Sequence, residues 1–307
     1  MALVNLQEIL KDAREKKYAV GAFDVSNYEM IRAVIEVAEE EKSPVILMGL
    51  KLDLEGIGIE YLMSMMKLAA EGASVPVCIH LDHATEYDLI KRAIDHGFTS
   101  VMYDGSILSL EENIINTKRV CELAHKYGVN VEAELGHVGD GITGNSETAS
   151  DEIVKEKLTL PEEMARFINE TEVDALAVSI GTAHGVYVSE PKLDFKRLEI
   201  LNKISTVPLV LHGGSGTPDN DIRKSIELGI SKINIYSEVL NAYYSELKRA
   251  LNASTNMSLW PSVVNKEPVE NMKKVIRSKI RLFGSNNRAM NKDLKDSHQK
   301  DIKKGDF

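Results

Sequence analysis

Short β-branched runs alternate with amphipathic stretches along most of this chain. The runs Ala19–Phe23, Val45–Met48, Val77–Leu81, Ser100–Tyr103, Asn130–Glu134, Ala175–Ser179, Leu209–Leu211 and Lys232–Ile235 read as strands. Most are almost continuously apolar, as strands are when both faces of a parallel sheet are covered. Between the first two, Tyr28–Glu41 repeats Met30, Ile31, Val34, Ile35 and Ala38 at helical spacing, and Ser26 and Asn27 are suitable N-caps. Glu86–His96 and Glu111–Tyr127 read the same way, and Gly97 and Gly128 stand where a helix end needs a left-handed residue. Pro161 and Pro218 open further helices.

Eight strands alternating with helices predict a closed (β/α)8 TIM barrel rather than an open doubly wound sheet. Two stretches break the rhythm. Gly136–Lys157 is long, polar and rich in Gly, Ser and Thr. It follows strand 5, where it would stand over the barrel mouth as a lid loop. Asn252–Pro268 is irregular and precedes a last helix, Val269–Arg281, which makes a C-terminal helical extension. The expected organisation is one barrel over 1–289 and a charged, frayed tail over 290–307.

A length of 307 residues suits one such barrel, which typically takes about 250. A formal net charge of −10 argues against nucleic acid or an anionic membrane surface as partner. It leaves room for a phosphorylated small molecule, because glycine loops and helix starts bind phosphate on an acidic protein. Cys78 and Cys121 lack metal or redox spacing and read as buried thiols in a reducing compartment. The opening residues do not resemble a signal peptide, and no apolar run reaches the ~20 residues of a membrane span. The expected location is cytoplasmic.

Chemistry in a barrel gathers at the C-terminal strand ends. There the chain carries Asn27 after strand 1, Asp82 and His83 after strand 3, Asp104 after strand 4 and Glu134 at strand 5. His184 and Gly185 follow strand 6, and His212, Gly213, Gly214 and Ser215 follow strand 7. Asn234, Ile235, Tyr236 and Ser237 end strand 8. Three imidazoles with an open fourth position are what a catalytic zinc ion needs, and Asp82 supplies a carboxylate beside one of them. HGGSG, followed by a helix, is a phosphate cradle at the place where barrels commonly bind phosphate. His96, His125 and His298 read as packing or surface residues. His80 either lines the barrel or orients a metal ligand, and Glu132 is either a ligand's partner or a barrel carboxylate paired with a lysine.

VPVCIHLDHA, MYDGS, VEAELGHVG, LAVSIGTAHGVY, PLVLHGGSG and KINIYSE occur in that order. With them the chain resembles the class II, metal-dependent ketose-bisphosphate aldolases, which include fructose- and tagatose-bisphosphate aldolases. The likeness runs from about Leu6 to Ala289. It implies zinc on His83, His184 and His212, with Asp104 and Glu134 as alternate or supporting metal carboxylates. It implies Asp82 as catalytic acid/base, and Gly185, Gly213, Gly214, Ser215, Asn234 and Ser237 around dihydroxyacetone phosphate. A monovalent cation (Na+ or K+) near that phosphate and a homodimer or homotetramer are also implied. Arg277 resembles an arginine that grips a distal phosphate in a neighbouring subunit's site.

Two departures bear on substrate. Relatives carry an adjacent Glu-Asp pair in the lid, whereas this chain has Gly139-Asp140-Gly141-Ile142, with Glu147, Asp151 and Glu152 as the remaining lid acids. Fructose-specific relatives read Asn-x-Asp-Thr after strand 8, where this chain has Asn234-Ile235-Tyr236-Ser237. The expected activity is reversible aldol cleavage of a ketose phosphate. The substrate is either a fructose- or tagatose-1,6-bisphosphate-like sugar or a longer or mono-phosphorylated one. A barrel isomerase and a non-catalytic sugar-phosphate sensor are the competing readings. A Schiff-base aldolase needs a strand-borne lysine at the mouth, and Lys232 lies at the wrong end of strand 8.

Overall fold

In a computed structural model, residues 2–140, 157–185, 191–254 and 259–289 are described. The strands Val77–Ala84, Val45–Leu50, Val20–Asp24, Ile230–Ile235, Leu209–Leu211, Ala175–Val178, Asn130–Leu135 and Ser100–Tyr103 lie side by side in that order, and the last pairs back with the first. Every neighbouring pair is parallel. This is the closed (β/α)8 barrel expected from the alternation, with a short strand, Leu3–Val4, added beside Val77 and Cys78.

Strand alternation divides the core in two. Val20, Ala22, Ile46, Met48, Cys78, Ala175, Ala177 and Val210 fill the barrel interior. The first helix, Leu6–Lys16, plugs its floor with Leu6, Ile9, Leu10 and Ala13. A capping box between Asn5 and Glu8 starts that helix. The intervening strand positions, among them Phe23, Leu47, Ile79 and Val101, pack outward against the helical ring.

Three boundaries differ from the sequence reading. The α-helix at Leu110 ends at Ala124 and tightens into a 3-10 turn over His125–Tyr127, because Gly128 (φ 70°) reverses the chain just beyond. Pro218 sits just ahead of its helix, Asp219–Glu227, rather than inside it. The region read as irregular holds the end of the helix Ser237–Ala253, a short helix Pro261–Val264 opened by its proline, and the start of Lys266–Leu282. The last helix packs on Tyr28–Glu40, where Lys273 meets Glu36 and Arg281 meets Glu41 at 2.8 Å. Lid residues 141–156 and tail residues 290–307 lie outside the described residues, so the expected lid acids Glu147, Asp151 and Glu152 do too.

Candidate active site

The barrel interior becomes more polar toward the mouth. One step above Ala22, Met48 and His80 along their strands stand Asp24, Leu50 and Asp82. A regular strand would send His83 to the opposite face from Asp82. Here the pairing with Ser100–Tyr103 shifts register between Leu81 and Ala84, and His83 adopts φ 43°. That left-handed backbone at a non-glycine residue turns both neighbours into one mouth.

His83, His184 and His212 converge there. Their ring centroids are 4.7, 4.6 and 5.6 Å apart, and one nitrogen from each lies within 4.8 Å of the others. His83 Nδ1 is 2.9 Å from Asp104 Oδ2, which fixes the ring and leaves Nε2 buried without a hydrogen-bond partner. His212 is clamped from both sides, Nδ1 at 2.9 Å from Glu134 Oε2 and Nε2 at 3.0 Å from Glu132 Oε1. Asp104 is itself held by the Ser106 hydroxyl and backbone N–H, at 2.6 and 3.0 Å. His83, Asp104 and Glu134 form a second overlapping donor set. A buried imidazole nitrogen left over, imidazoles oriented by carboxylates, and a borderline-soft donor set all fit a divalent metal ion.

The electrostatics follow from this crowding. Burial opposes the charge on Asp82, yet His83, Lys232 and His212 outweigh it and hold the carboxyl below its usual range. Burial likewise opposes an imidazolium at His83, but Asp82, Asp104 and Glu134 raise its pKa to about 10 before any metal binds. His80 goes the other way, down to about 3, because it is buried beside Lys232. It lines the barrel, Nδ1 at 2.8 Å from Ser100 Oγ. Glu132 answers both readings open to it. It touches His212 and pairs with Lys232, whose Nζ is 2.9 Å from Oε2. Lys232 is therefore a buried counter-ion beneath the mouth rather than a free amine.

Above the histidines lies a cavity of about 340 Å³. One wall is the glycine loop. Gly213 has φ 66°, and a Cβ there would fall 2.3 Å from the Ala183 carbonyl oxygen. At Gly214 a Cβ would fall 2.5 Å from Ile233 Cγ2. Glycine is thus needed sterically at both positions for the loop to lie against strand 8 and the Ala183–His184 strand. Ser215 Oγ accepts from the backbone N–H groups of Tyr236 and Glu238, at 3.3 and 3.5 Å, which ties the loop to the start of the helix Ser237–Ala253. The opposite wall is Asp24, Leu50 and Asp82, with Tyr236 between the two.

The expected residues Asp82, His83, Asp104, His184, Gly185, Gly213, Gly214, Ser215, Asn234, Tyr236 and Ser237 line this one cavity, with Glu134 and His212 buried beneath it. Three expected substrate residues do not line it. Asn27 spends its amide oxygen capping the helix Tyr28–Glu40 through the Met30 N–H, at 2.9 Å. Ile235 is an outward strand position and packs in the outer core. Arg277 lies on the last helix, paired with Glu40 and, at 3.5 Å, with Glu41. The sequence reading missed Asp24, His137, Leu50 and Val138. Ending strand 1 at Phe23 hid Asp24. One further residue, counted by twos from Ala22, would have placed it among the inward positions. His137 Nδ1 lies 2.9 Å from Ser106 Oγ at the base of the lid.

The family of class II fructose-bisphosphate aldolases matches residues 4–288 of the chain. A probable fructose-bisphosphate aldolase of Bacillus subtilis (strain 168) is 41% identical over 298 residues, covering 94% of this chain and 100% of its own. The sulfofructosephosphate aldolase of Alkalicoccus urumqiensis is 38% identical over 292 residues, covering 94% and 99%. Among solved structures, the YdjI aldolase of Escherichia coli K12 superposes with a TM-score of 0.81 at 35% identity, covering 94% and 100%. The relatives share a reaction type in their names and differ in substrate. A match across nearly the whole barrel, joined to the site geometry above, places this chain in the class II fructose-bisphosphate aldolase family, and its enzymes are lyases that break carbon–carbon bonds.

Proposed function

We propose that this protein is a zinc-dependent aldolase that reversibly cleaves a ketose phosphate to dihydroxyacetone phosphate and an aldehyde. One observation carries the reading: three imidazoles from three strand ends offer nitrogens within 4.8 Å of one another, beside the buried carboxylate Asp82. His83, His184 and His212 would hold the ion, with Asp104 orienting His83 through Nδ1, Glu132 orienting His212 through Nε2, and Glu134 beside His212 Nδ1. Bound zinc would supply Lewis acidity toward the charge that develops on the ketone oxygen.

The chain's own groups account for the rest. Asp82 takes the proton of the hydroxyl whose oxygen becomes the aldehyde, and returns it in condensation. The charges around Asp82 keep it ionised and ready to accept. Asn234 holds that carboxylate by donating Nδ2–H to Oδ1 at 3.1 Å. The phosphate is received by Gly185, Gly213, Gly214, Ser215 and Ser237, where backbone N–H groups and a helix start favour an anion. A Na+ or K+ ion completes that subsite. Tyr236 fills part of the wall, so the substrate is a ketose phosphate of tagatose- or fructose-bisphosphate type or a relative of different length or distal group. The enzyme acts in the cytoplasm as a homodimer or homotetramer.

A retro-aldol screen over ketose mono- and bisphosphates, with dihydroxyacetone phosphate as readout, tests the reading. The expected result is cleavage of at least one sugar, lost on chelation and restored by zinc. Cleavage indifferent to a chelator would sink the zinc assignment. No cleavage of any ketose phosphate by zinc-loaded protein would sink the aldolase itself.

A further inference from the structure

Asp24 has no part in the scheme above. Val20 and Ala22 point into the barrel, and Asp24 continues their series to the mouth, beside the strand Ile230–Ile235 that leads into Tyr236. Its side chain lines the cavity and is only 6% exposed. Its Oδ1 is buried with no hydrogen-bond partner. On the neighbouring strand Asn234 Oδ1, also in the cavity wall, is buried and unpartnered as well. Folded proteins seldom leave buried acceptors unsatisfied, and each exception calls for an explanation.

Two unpartnered acceptors on adjacent strands of one cavity call for donors. An anionic substituent is a poor occupant, because it would add a third acidic group to a wall that already holds Asp24 and Asp82. The wall therefore suits a neutral hydrogen-bonding group. On a sugar that group is a hydroxyl.

We propose that Asp24 is a specificity residue: its carboxyl receives a hydroxyl of the ketose chain other than the one that becomes the aldehyde oxygen. At this wall the site then selects a neutral, hydroxylated stretch of substrate and rejects a deoxygenated or anionic one. The inference rests on the aldolase reading above and assigns that site its substrate chemistry.

The test compares kcat/KM for the best-cleaved ketose phosphate with its mono-deoxy analogues, one for each hydroxyl that the reaction does not itself require. A site built to bond a hydroxyl discriminates strongly against its loss, so one analogue is expected to fall by on the order of 10²-fold or more in wild-type enzyme. Asp24→Ala should bring that ratio close to one, with zinc content and circular dichroism unchanged. Asp24→Asn, which keeps an acceptor oxygen, should retain the discrimination. Equal discrimination in wild type and Asp24→Ala overturns the role of Asp24. So does a wild-type enzyme that cleaves every analogue as well as the parent, a result needing no variant. A wild-type protein that cleaves the parent sugar and no other class leaves the aldolase reading intact, whereas absence of any cleavage overturns that reading and the inference with it.

Discussion

Asn234 reaches from strand 8 across the barrel mouth and donates its amide to Asp82 on strand 3, Nδ2 to Oδ1 at 3.1 Å. This bond aims the carboxylate, while His83, Lys232 and His212 keep it charged although it is buried. Neither His83 nor His212 depends on Asp82 for its orientation, since His83 leans on Asp104 and His212 on Glu132. Asp82→Ala is therefore expected to bind zinc in wild-type amount while kcat falls by about 10²–10⁴, the range for losing a general acid/base. Metal analysis and steady-state kinetics on the same preparation check both halves. A variant that keeps more than about a tenth of wild-type kcat would remove Asp82 from that role.

Cys78 and Cys121 are both buried. Burial pushes the Cys78 thiol up to about 12, against the hydrogen bond with Thr99 that works the other way. At pH 8 its reactive thiolate is then about one part in 10⁴. Native protein should consume no thiol reagent on a minutes timescale, and two equivalents after unfolding in guanidinium. Fast labelling of either cysteine in native protein would contradict this packing.

The barrel was legible in the sequence because most of the eight strands carry the near-continuous apolar signature of covered parallel strands, and Ser100–Tyr103 and Leu209–Leu211 needed no adjustment. The polar residues after them were legible because strand ends are where a barrel puts its chemistry. What stayed hidden depended on register and on competition. Asp24 was lost to a one-residue error at the end of strand 1. Asn27 looked like a ligand residue from its position, yet its side chain had a better-defined local use as a cap, which the sequence reading had also noted. The turn of His83 into the mouth depends on a bulge and a positive φ that no residue pattern announces. Arg277 was assigned to a neighbouring subunit's site; within its own chain it lies on the last helix beside Glu40 and Glu41.

Gly213 tests the cradle. Its φ of 66° and the Ala183 carbonyl, 2.3 Å from where a Cβ would stand, both exclude a side chain. Neither neighbour is the flexible end of a side chain, so Gly213→Ala must move backbone between His184 and His212. We expect about 1–3 kcal/mol of lost stability by urea unfolding, from left-handed strain alone. Because the displaced loop is the phosphate wall, KM for a ketose phosphate should rise more than kcat falls. A variant with unaltered KM would show that this loop does not receive the phosphate.

Beneath the mouth, Lys232 and Glu132 form a fully buried ion pair, Nζ to Oε2 at 2.9 Å, and Glu132 also contacts His212. Burial disfavours the Glu132 charge, but Lys232 and His212 prevail and hold its carboxyl well below the ordinary value. A depressed carboxyl contributes stability that is complete above its unfolded value, about 4.3. That contribution is lost as pH falls through the lower folded value, so the pair should appear as an acid limb in unfolding measured below about pH 4. Lys232→Met strands a charge in the barrel and should cost about 3–5 kcal/mol at pH 7. Adding Glu132→Leu removes that charge and should recover most of the loss, because well-packed apolar groups often replace a buried pair without penalty. The double variant releases Nε2 and so removes the carboxylate that orients His212 for an ion bound at Nδ1; zinc affinity should fall by about 10–100-fold even where stability returns. Chelator competition separates the two effects. Full recovery of zinc affinity in the double variant would mean that Glu132 serves the fold alone.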